Sequence, residues 1–418
     1  MHARRTAVDR ARRQSVLARL SVAWAAALIF GLVAGAVASA ATSQSARSPH
    51  TGSSAARTRH RHRRASHIRT AARHRVLRTA AASAAPVVFG IYPGGAAGTV
   101  GPSGPVAPED PAKRLAALEL LRAPGAPFVL HIYAGYTGPV GWTAAQQVGD
   151  QIAQYTAAGF QVELVLTYRP ADGGSSQDVS GFEEFVRQTI TSFGSNPGFV
   201  SLQVTNEANV TGTPNASDGY YAGAEEALIG GVIAAKAAIR ARGFNQVSVG
   251  FNWAYGGNVN EHAFWSFLGR KGGAGFVSAL DWVGLDIYPG TWGPPLSGSL
   301  SSGTTAAMKT ALTELRSVYL PLAGIPFRVP LHVSESGYPT GPGRTPAMQV
   351  QAMDAAVGAV VAGQSTFNIT GYRWFDLRDA ISASSDFESQ YGLMTDAYVP
   401  KPAFFTYQAL VARFGRRS

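Results

Sequence analysis

The chain has 418 residues, 46% of them apolar and 15% charged, with 47 Gly, 24 Pro and no Cys. That length suits one large domain or two ordinary ones and excludes disorder throughout; the lack of cysteine excludes a disulfide framework, thiolate metal sites and a cysteine nucleophile. The formal charge of +11 is confined to one end, because residues 1–85 hold 16 Arg and one Asp and leave 20 basic and 24 acidic residues downstream, so no specific nucleic-acid groove is expected in the folded part.

The first segment, 1–46, reads as a signal peptide or membrane anchor. An Arg-rich head precedes an uncharged run from Leu20 to Ala46, and the small residues Ala38-Ser39-Ala40 fit a cleavage site. The apolar stretch also reaches the roughly 20 residues that span a bilayer. Export to the exterior or to the cell surface follows from either reading. Residues 47–85 repeat Arg, His, Ala, Ser and Thr with few large apolar groups, so a disordered Arg/His-rich linker is expected there. It is either a solvated spacer or a contact for polyanions such as cell-wall phosphates or lipid headgroups.

From 86 to 418 the pattern changes to a single domain in which short β-branched runs alternate with helical periodicities. The strand candidates are 86–92, 128–133, 161–168, 199–204, 246–252, 280–288, 330–335 and 370–375. They recur about every forty residues, the length of one strand, helix and two loops in a (β/α)8 TIM barrel, and a doubly wound open sheet is the competing arrangement. Between them, Ser180 with Glu183 reads as a capping box before Phe185, Gly194 and Gly243 as helix stops, Pro346 as a first-turn proline and Gly363 as the end of its helix. Phe404, Leu410, Val411 and Phe414 give the last helix a buried stripe.

In such a barrel the carboxyl ends of the strands carry the chemistry. Two carboxylates stand there: Glu207, after the fourth strand, and Glu335, at the end of the seventh. A pair of carboxyls is what glycosidic cleavage requires, one to protonate the departing oxygen and one to meet the oxocarbenium-like carbon. Glu163 lies inside the third strand, where a structural ion pair is its expected role. Other strand ends supply groups suited to a carbohydrate cleft: His131 and Tyr133, Tyr168 and Arg169, Asn252, Trp253 and Tyr255. Aromatic faces stack on sugar rings and amides fork onto hydroxyl pairs. Trp292, in the long loop after Tyr288, is the lid candidate.

Asn206-Glu207 after strand four with Glu335 after strand seven resembles the signature of glycoside hydrolase clan A, a superfamily of retaining (β/α)8-barrel glycosidases, and the resemblance extends from about residue 86 to 415. It implies Glu207 as acid/base, Glu335 as nucleophile and Asn206 as the partner of the sugar 2-hydroxyl. It also implies that Tyr288 aims the nucleophile, that Trp374 stacks on the sugar, and that Lys401-Pro402 leads into the last helix. The phrase VSESGYPT is similar to endo-β-1,3-glucanases, and LDWVGLDIYPGTW to endo-galactanases and cellulase-like enzymes. Many clan members carry a histidine two positions before the strand-six tyrosine, where this chain has Asp286.

These readings converge on an exported retaining glycoside hydrolase acting on the β-glycosidic bonds of a polysaccharide or oligosaccharide. It is expected to be a monomer that uses no metal or other cofactor. The alternative is a non-catalytic surface carbohydrate-binding protein that keeps the barrel.

Overall fold

The computed structural model describes residues 86–95, 106–138, 141–257 and 260–415. The expected signal or anchor segment and the basic linker lie outside the described residues. Strand β1 (Val88–Ile91) is followed by α1 (Pro111–Leu121), β2 (Phe128–Tyr136), α2 (Ala144–Ala157), β3 (Gln161–Tyr168), α3 (Ser176–Phe193), β4 (Phe199–Val204) and α4 (Ala224–Arg242). The second half adds β5 (Ser248–Ala254), α5 (Glu261–Phe267), α6 (Gly273–Ala279), β6 (Trp282–Asp286), α7 (Leu300–Glu314), β7 (Leu331–Ser336), α8 (Pro346–Phe367), β8 (Ile369–Trp374) and α9 (Pro402–Phe414). Each strand is parallel to its neighbours, and β8 closes onto β1 from Val88↔Gly371 to Ile91↔Trp374, so the sheet is a closed eight-strand barrel and not an open one.

Helix boundaries follow side-chain chemistry, with two differences from the sequence reading. The cap of α3 is Ser175, whose hydroxyl accepts from the Asp178 N–H at 3.3 Å. Ser180 lies inside the helix and donates back to the Ser176 carbonyl, while Glu183, its expected capping partner, pairs with Arg187 one turn on at 2.8 Å. Gly363 does not end α8, which runs four residues further and stops on Asn368 in the left-handed region, φ 53°. Asparagine serves there as glycine does, because its short side chain tolerates that conformation.

Side-chain alternation divides the barrel into two interiors. On β2, Leu130, Ile132, Ala134 and Tyr136 join the apolar layer between strands and helices, and His131 and Tyr133 face the lumen. The same parity sends Val162, Leu164, Leu166 and Tyr168 of β3 outward, together with Val249, Phe251 and Trp253 of β5 and Tyr372 and Trp374 of β8. Left for the lumen are Glu163, Trp282, His332 and Arg373, a polar and aromatic filling that needs room. Glycine supplies it: a Cβ on Gly250 would stand 2.2 Å from the Trp282 ring, and one on Gly90 would stand 2.2 Å from the Val129 carbonyl and 2.6 Å from Cδ of Arg373.

Gly90→Ala therefore forces backbone or Arg373 to move and is expected to cost about 1–3 kcal/mol or more. Chemical denaturation measures it. A loss under about 0.5 kcal/mol, the range of an ordinary surface change, would show that the lumen is not packed as described.

Candidate active site

The loop after β4 delivers the first carboxyl. Thr205 and Glu207 both adopt positive φ, 63° and 49°, an uncommon conformation for residues with a side chain. It is held by Asp218, whose Oδ2 accepts from the N–H groups of Asn206 and Tyr168, each at 2.7 Å, and by Asn252, whose Oδ1 accepts from the Glu207 N–H at 2.8 Å. The second carboxyl is placed by an irregularity. Strict alternation would send Glu335 outward with Leu331 and Val333, but pairing of β7 slips against both neighbours, so that Asp286 faces Glu335 instead of Ser334. Such an irregularity re-aims a side chain, and Glu335 faces the mouth.

There its two oxygens are taken by hydroxyl donors from opposite sides of the barrel. Tyr133 donates a short hydrogen bond to Oε1, and Tyr288 donates to Oε2 at 2.6 Å. One oxygen each from Glu207, Glu335 and Asp286 lies within 4.8 Å of the others. Asp286 is pinned through Oδ1 by Ser334 Oγ at 2.6 Å and through Oδ2 by Asn252 Nδ2, which also donates to Asn206 Oδ1 at 2.9 Å. These three carboxyls are the group among the described residues close enough to hold a cation. Hydroxyl or amide hydrogens already point at both oxygens of Glu335 and both of Asp286, a donor set that suits hydrogen bonding and not a metal.

Three acids at this spacing cannot all carry charge. Burial and the neighbouring Glu335 charge push Glu207 up to about 8, against a partial offset from the Ser217 hydroxyl donated to its Oε2. Burial, followed by the charges of Glu335 and Glu207, raises Asp286 well above the usual carboxylate range. The Tyr133 and Tyr288 phenols are likewise raised, first by burial and then by Glu335, so both remain donors. The site thus sets two carboxyls of raised pKa, Glu207 and Asp286, beside Glu335, each of whose oxygens accepts a hydroxyl hydrogen.

The cleft over these groups has a volume of about 560 Å³, within the range of small-molecule sites. Glu207, Glu335, Asn206 and Tyr288 line it, and Trp292 stands half exposed at its edge. Asn252 is fully buried behind the cleft, where it binds Asn206, Asp286 and the backbone of Glu207. His131 also lies beneath it, bonded to Glu163 and Tyr133.

Three expected sugar contacts are placed elsewhere by the outward parity of their strands. Trp374 is 1% exposed and packs on Tyr407 of α9, so the strand-eight aromatic that reaches the cleft is the next residue, Phe375. Trp253 is buried against Trp265 and Tyr319 with its indole N–H donated to Glu261 at 2.6 Å. Tyr168 stacks on Tyr136 and donates to the Ala222 carbonyl. Ser217, Phe375, Glu388 and Tyr391 are cleft residues that no spacing in the sequence announced. Lys401 is buried and binds Asp379 at 2.6 Å and Thr340 at 2.9 Å, a tie among the loops around the mouth.

No protein-family model and no curated protein matches the chain. Solved structures do match. The family 5 subfamily 18 glycoside hydrolase from Streptomyces cattleya, in complex with GlcNAc, aligns with TM-score 0.54 and 17% identity over 80% of this chain and 82% of its own. A family 39 glycoside hydrolase from Bacteroides cellulosilyticus gives 0.52 and 13% over 79% and 64%, and a β-glucosidase from Thermotoga maritima gives 0.51 and 14% over 72% and 86%. The chain spans about half the length, 46% and 47%, of two β-glucuronidases that it also matches. At these identities the likeness is one of fold, an eight-strand parallel barrel of the kind these glycosidases share.

Proposed function

We propose that the protein is an exported retaining glycoside hydrolase that cleaves β-glycosidic bonds by double displacement. The observation that carries this reading is the pair Glu207–Glu335, which brings carboxyl oxygens within 4.8 Å of each other in a sugar-sized cleft, with Glu207 raised in pKa and both oxygens of Glu335 held by hydroxyl donors. Retaining enzymes place their carboxyls about 5–5.5 Å apart, and inverting enzymes leave roughly 6.5–9.5 Å for a water. Glu207 donates its proton to the leaving oxygen while Glu335 attacks the anomeric carbon. In the second step Glu207 takes a proton from water, which displaces Glu335. Asn206 is positioned to meet the 2-hydroxyl, and Trp292 and Phe375 offer faces for sugar rings.

Charge narrows the substrate. The described cleft lining holds Glu207, Asp286, Glu335 and Glu388 against a single cation, Arg169, which Asp218 and two backbone carbonyls already occupy. A uronic acid would enter next to acids with no free counter-charge, so neutral β-linked glucans, galactans or mannans are the substrate class. Residues 1–46 would direct export, and 47–85 would hold the enzyme near wall or lipid polyanions.

The test is product analysis on β-glucans, galactans and mannans with the anomeric signals followed by NMR. First-formed β-product establishes retention, and first-formed α-product refutes it. Binding of the same glycans with no product would establish the binding-protein alternative.

A further inference from the structure

Below the three carboxyls, the lumen holds a second buried cluster that the two-step reaction above does not use. Glu163 of β3 accepts from His131 Nδ1 of β2 at 2.9 Å and from Arg373 Nε of β8 at 3.2 Å, and His332 Nδ1 of β7 lies 3.8 Å from its other oxygen. His131 Nε2 lies 3.0 Å from the Tyr133 hydroxyl, which donates to Glu335 Oε1, and 3.9 Å from that same oxygen. A continuous chain therefore runs Arg373, Glu163, His131, Tyr133, Glu335.

Counting protons along the chain fixes the charge of the ring. An ionised carboxylate only accepts, so Nδ1 must carry hydrogen toward Glu163. The Tyr133 proton is committed to Glu335, so its oxygen turns a lone pair to His131, and Nε2 must carry hydrogen as well. We propose that His131 is a resident imidazolium and a positioning residue: through Tyr133 it holds the nucleophile and sets a positive charge behind Glu335.

Electrostatics agree with the count. Burial opposes ionisation of Glu163, but Arg373 with the His131 and His332 rings outweighs it and holds the carboxyl well below its usual range. Burial also works against a charged His131, yet the hydrogen bond it donates to Glu163 and the nearby Glu335 carboxylate raise its pKa above the ordinary imidazole value. His332, stacked on Trp282 at 4.5 Å, is lowered, first by burial, and remains the neutral neighbour.

The kinetic role of the cation rests on the glycosidase reading. In the first step the bond from the anomeric carbon to the leaving oxygen breaks, a bond to Glu335 forms, and the carboxylate charge vanishes. In the second a water oxygen bonds to that carbon, its proton goes to Glu207, and the electron pair of the breaking ester bond returns to Glu335. The fixed cation favours this return, so losing it should slow the second step more than the first.

The experiment combines a spectrum with kinetics. The intact chain, labelled with ¹⁵N-histidine, is recorded at pH 7.5, and the His131 signal is identified as the one absent from H131Q among the nine histidines. Both ring nitrogens are expected at protonated positions; a neutral tautomer overturns the proposal whatever the kinetics. In H131Q, kcat on an activated aryl β-glycoside should fall about 10–100-fold, with KM falling in parallel as the glycosyl-enzyme accumulates. The acid limb of kcat/KM, which reports ionisations of the free enzyme, should move to higher pH. An imidazolium spectrum with unchanged kcat and pH profile in H131Q also overturns it. A protein that hydrolyses no β-glycoside overturns the glycosidase reading instead, and the two failures are distinct because the spectrum needs no substrate. If H131Q does not fold, Tyr133→Phe, which cuts the chain at its next link and keeps the ring packing, takes its place in the kinetics, and the wild-type spectrum still decides the charge.

Discussion

Glu335→Ala is expected to abolish turnover of natural β-glycosides, by roughly 10⁴–10⁶-fold, the scale on which removal of a covalent nucleophile acts. Nothing nearby replaces it. Apart from the acid Glu207, the carboxyl grouped with it within 4.8 Å among the described residues is Asp286, which is raised in pKa and tied through both oxygens to Ser334 and Asn252. The truncation leaves a hole between the Tyr133 and Tyr288 hydroxyls, two donors that formerly met an anion. Azide is small, anionic and able to accept from both, so it should restore part of the activity on aryl glycosides carrying good leaving groups. Because it attacks from the face Glu335 vacated, the product should be the α-glycosyl azide of a β-substrate. Rate against azide concentration, with the product anomer read by NMR, checks both halves. Hydrolysis at the parent rate would remove Glu335 from the chemistry, and azide rescue giving a β-azide would place the vacancy on the wrong face.

The parts of this arrangement legible in the sequence are those governed by local periodicity. Eight β-branched runs separated by helical segments specify the barrel, because strand and helix lengths repeat and every unit must bury one face. Asn206-Glu207 and Glu335 are legible because they sit where the runs end. The orientation of single aromatics is less so. Trp253, Trp374 and Tyr168 all stand at strand ends, but which face each occupies depends on counting parity from a register that only pairing with neighbours establishes. Glu335 is the opposite case: the slipped pairing of β7 turns into the cleft a residue that strict alternation would hide. Ser217 reaches Glu207 from ten residues downstream through the path of an irregular loop, for which sequence carries no period. The His131–Glu163–Arg373 chain is invisible for a different reason. Its members are 32 and 210 residues apart and meet only because the barrel closes.

Glu207 should set the basic limb of the activity profile. Its pKa of about 8 comes first from burial and second from the Glu335 charge, so the acid is loaded with its proton at neutral pH and activity should fall as pH rises through about 8. The two causes separate in Glu335→Gln. The neutral amide removes the Coulomb part and leaves burial, so the Glu207 titration, followed by ¹³C NMR of the carboxyl, should move down from about 8 while remaining above the ordinary glutamate value. The same drop would occur in the glycosyl-enzyme, where Glu335 is an ester, and it lets one residue serve as acid in the first step and base in the second. Linkage gives a second reading of the same shift: a carboxyl raised on folding favours the folded state below its unfolded pKa and loses that contribution as pH climbs to about 8. Parent stability should therefore decline over that interval, and Glu207→Gln should flatten the decline. In turnover, Glu207→Gln should cost about 10²–10⁴-fold on substrates with poor leaving groups and far less in the first step on dinitrophenyl glycosides, whose leaving oxygen needs no proton. An equal loss on both substrate types would show that Glu207 does not deliver the proton, and a titration unmoved in Glu335→Gln would show that the two carboxyls do not share a site.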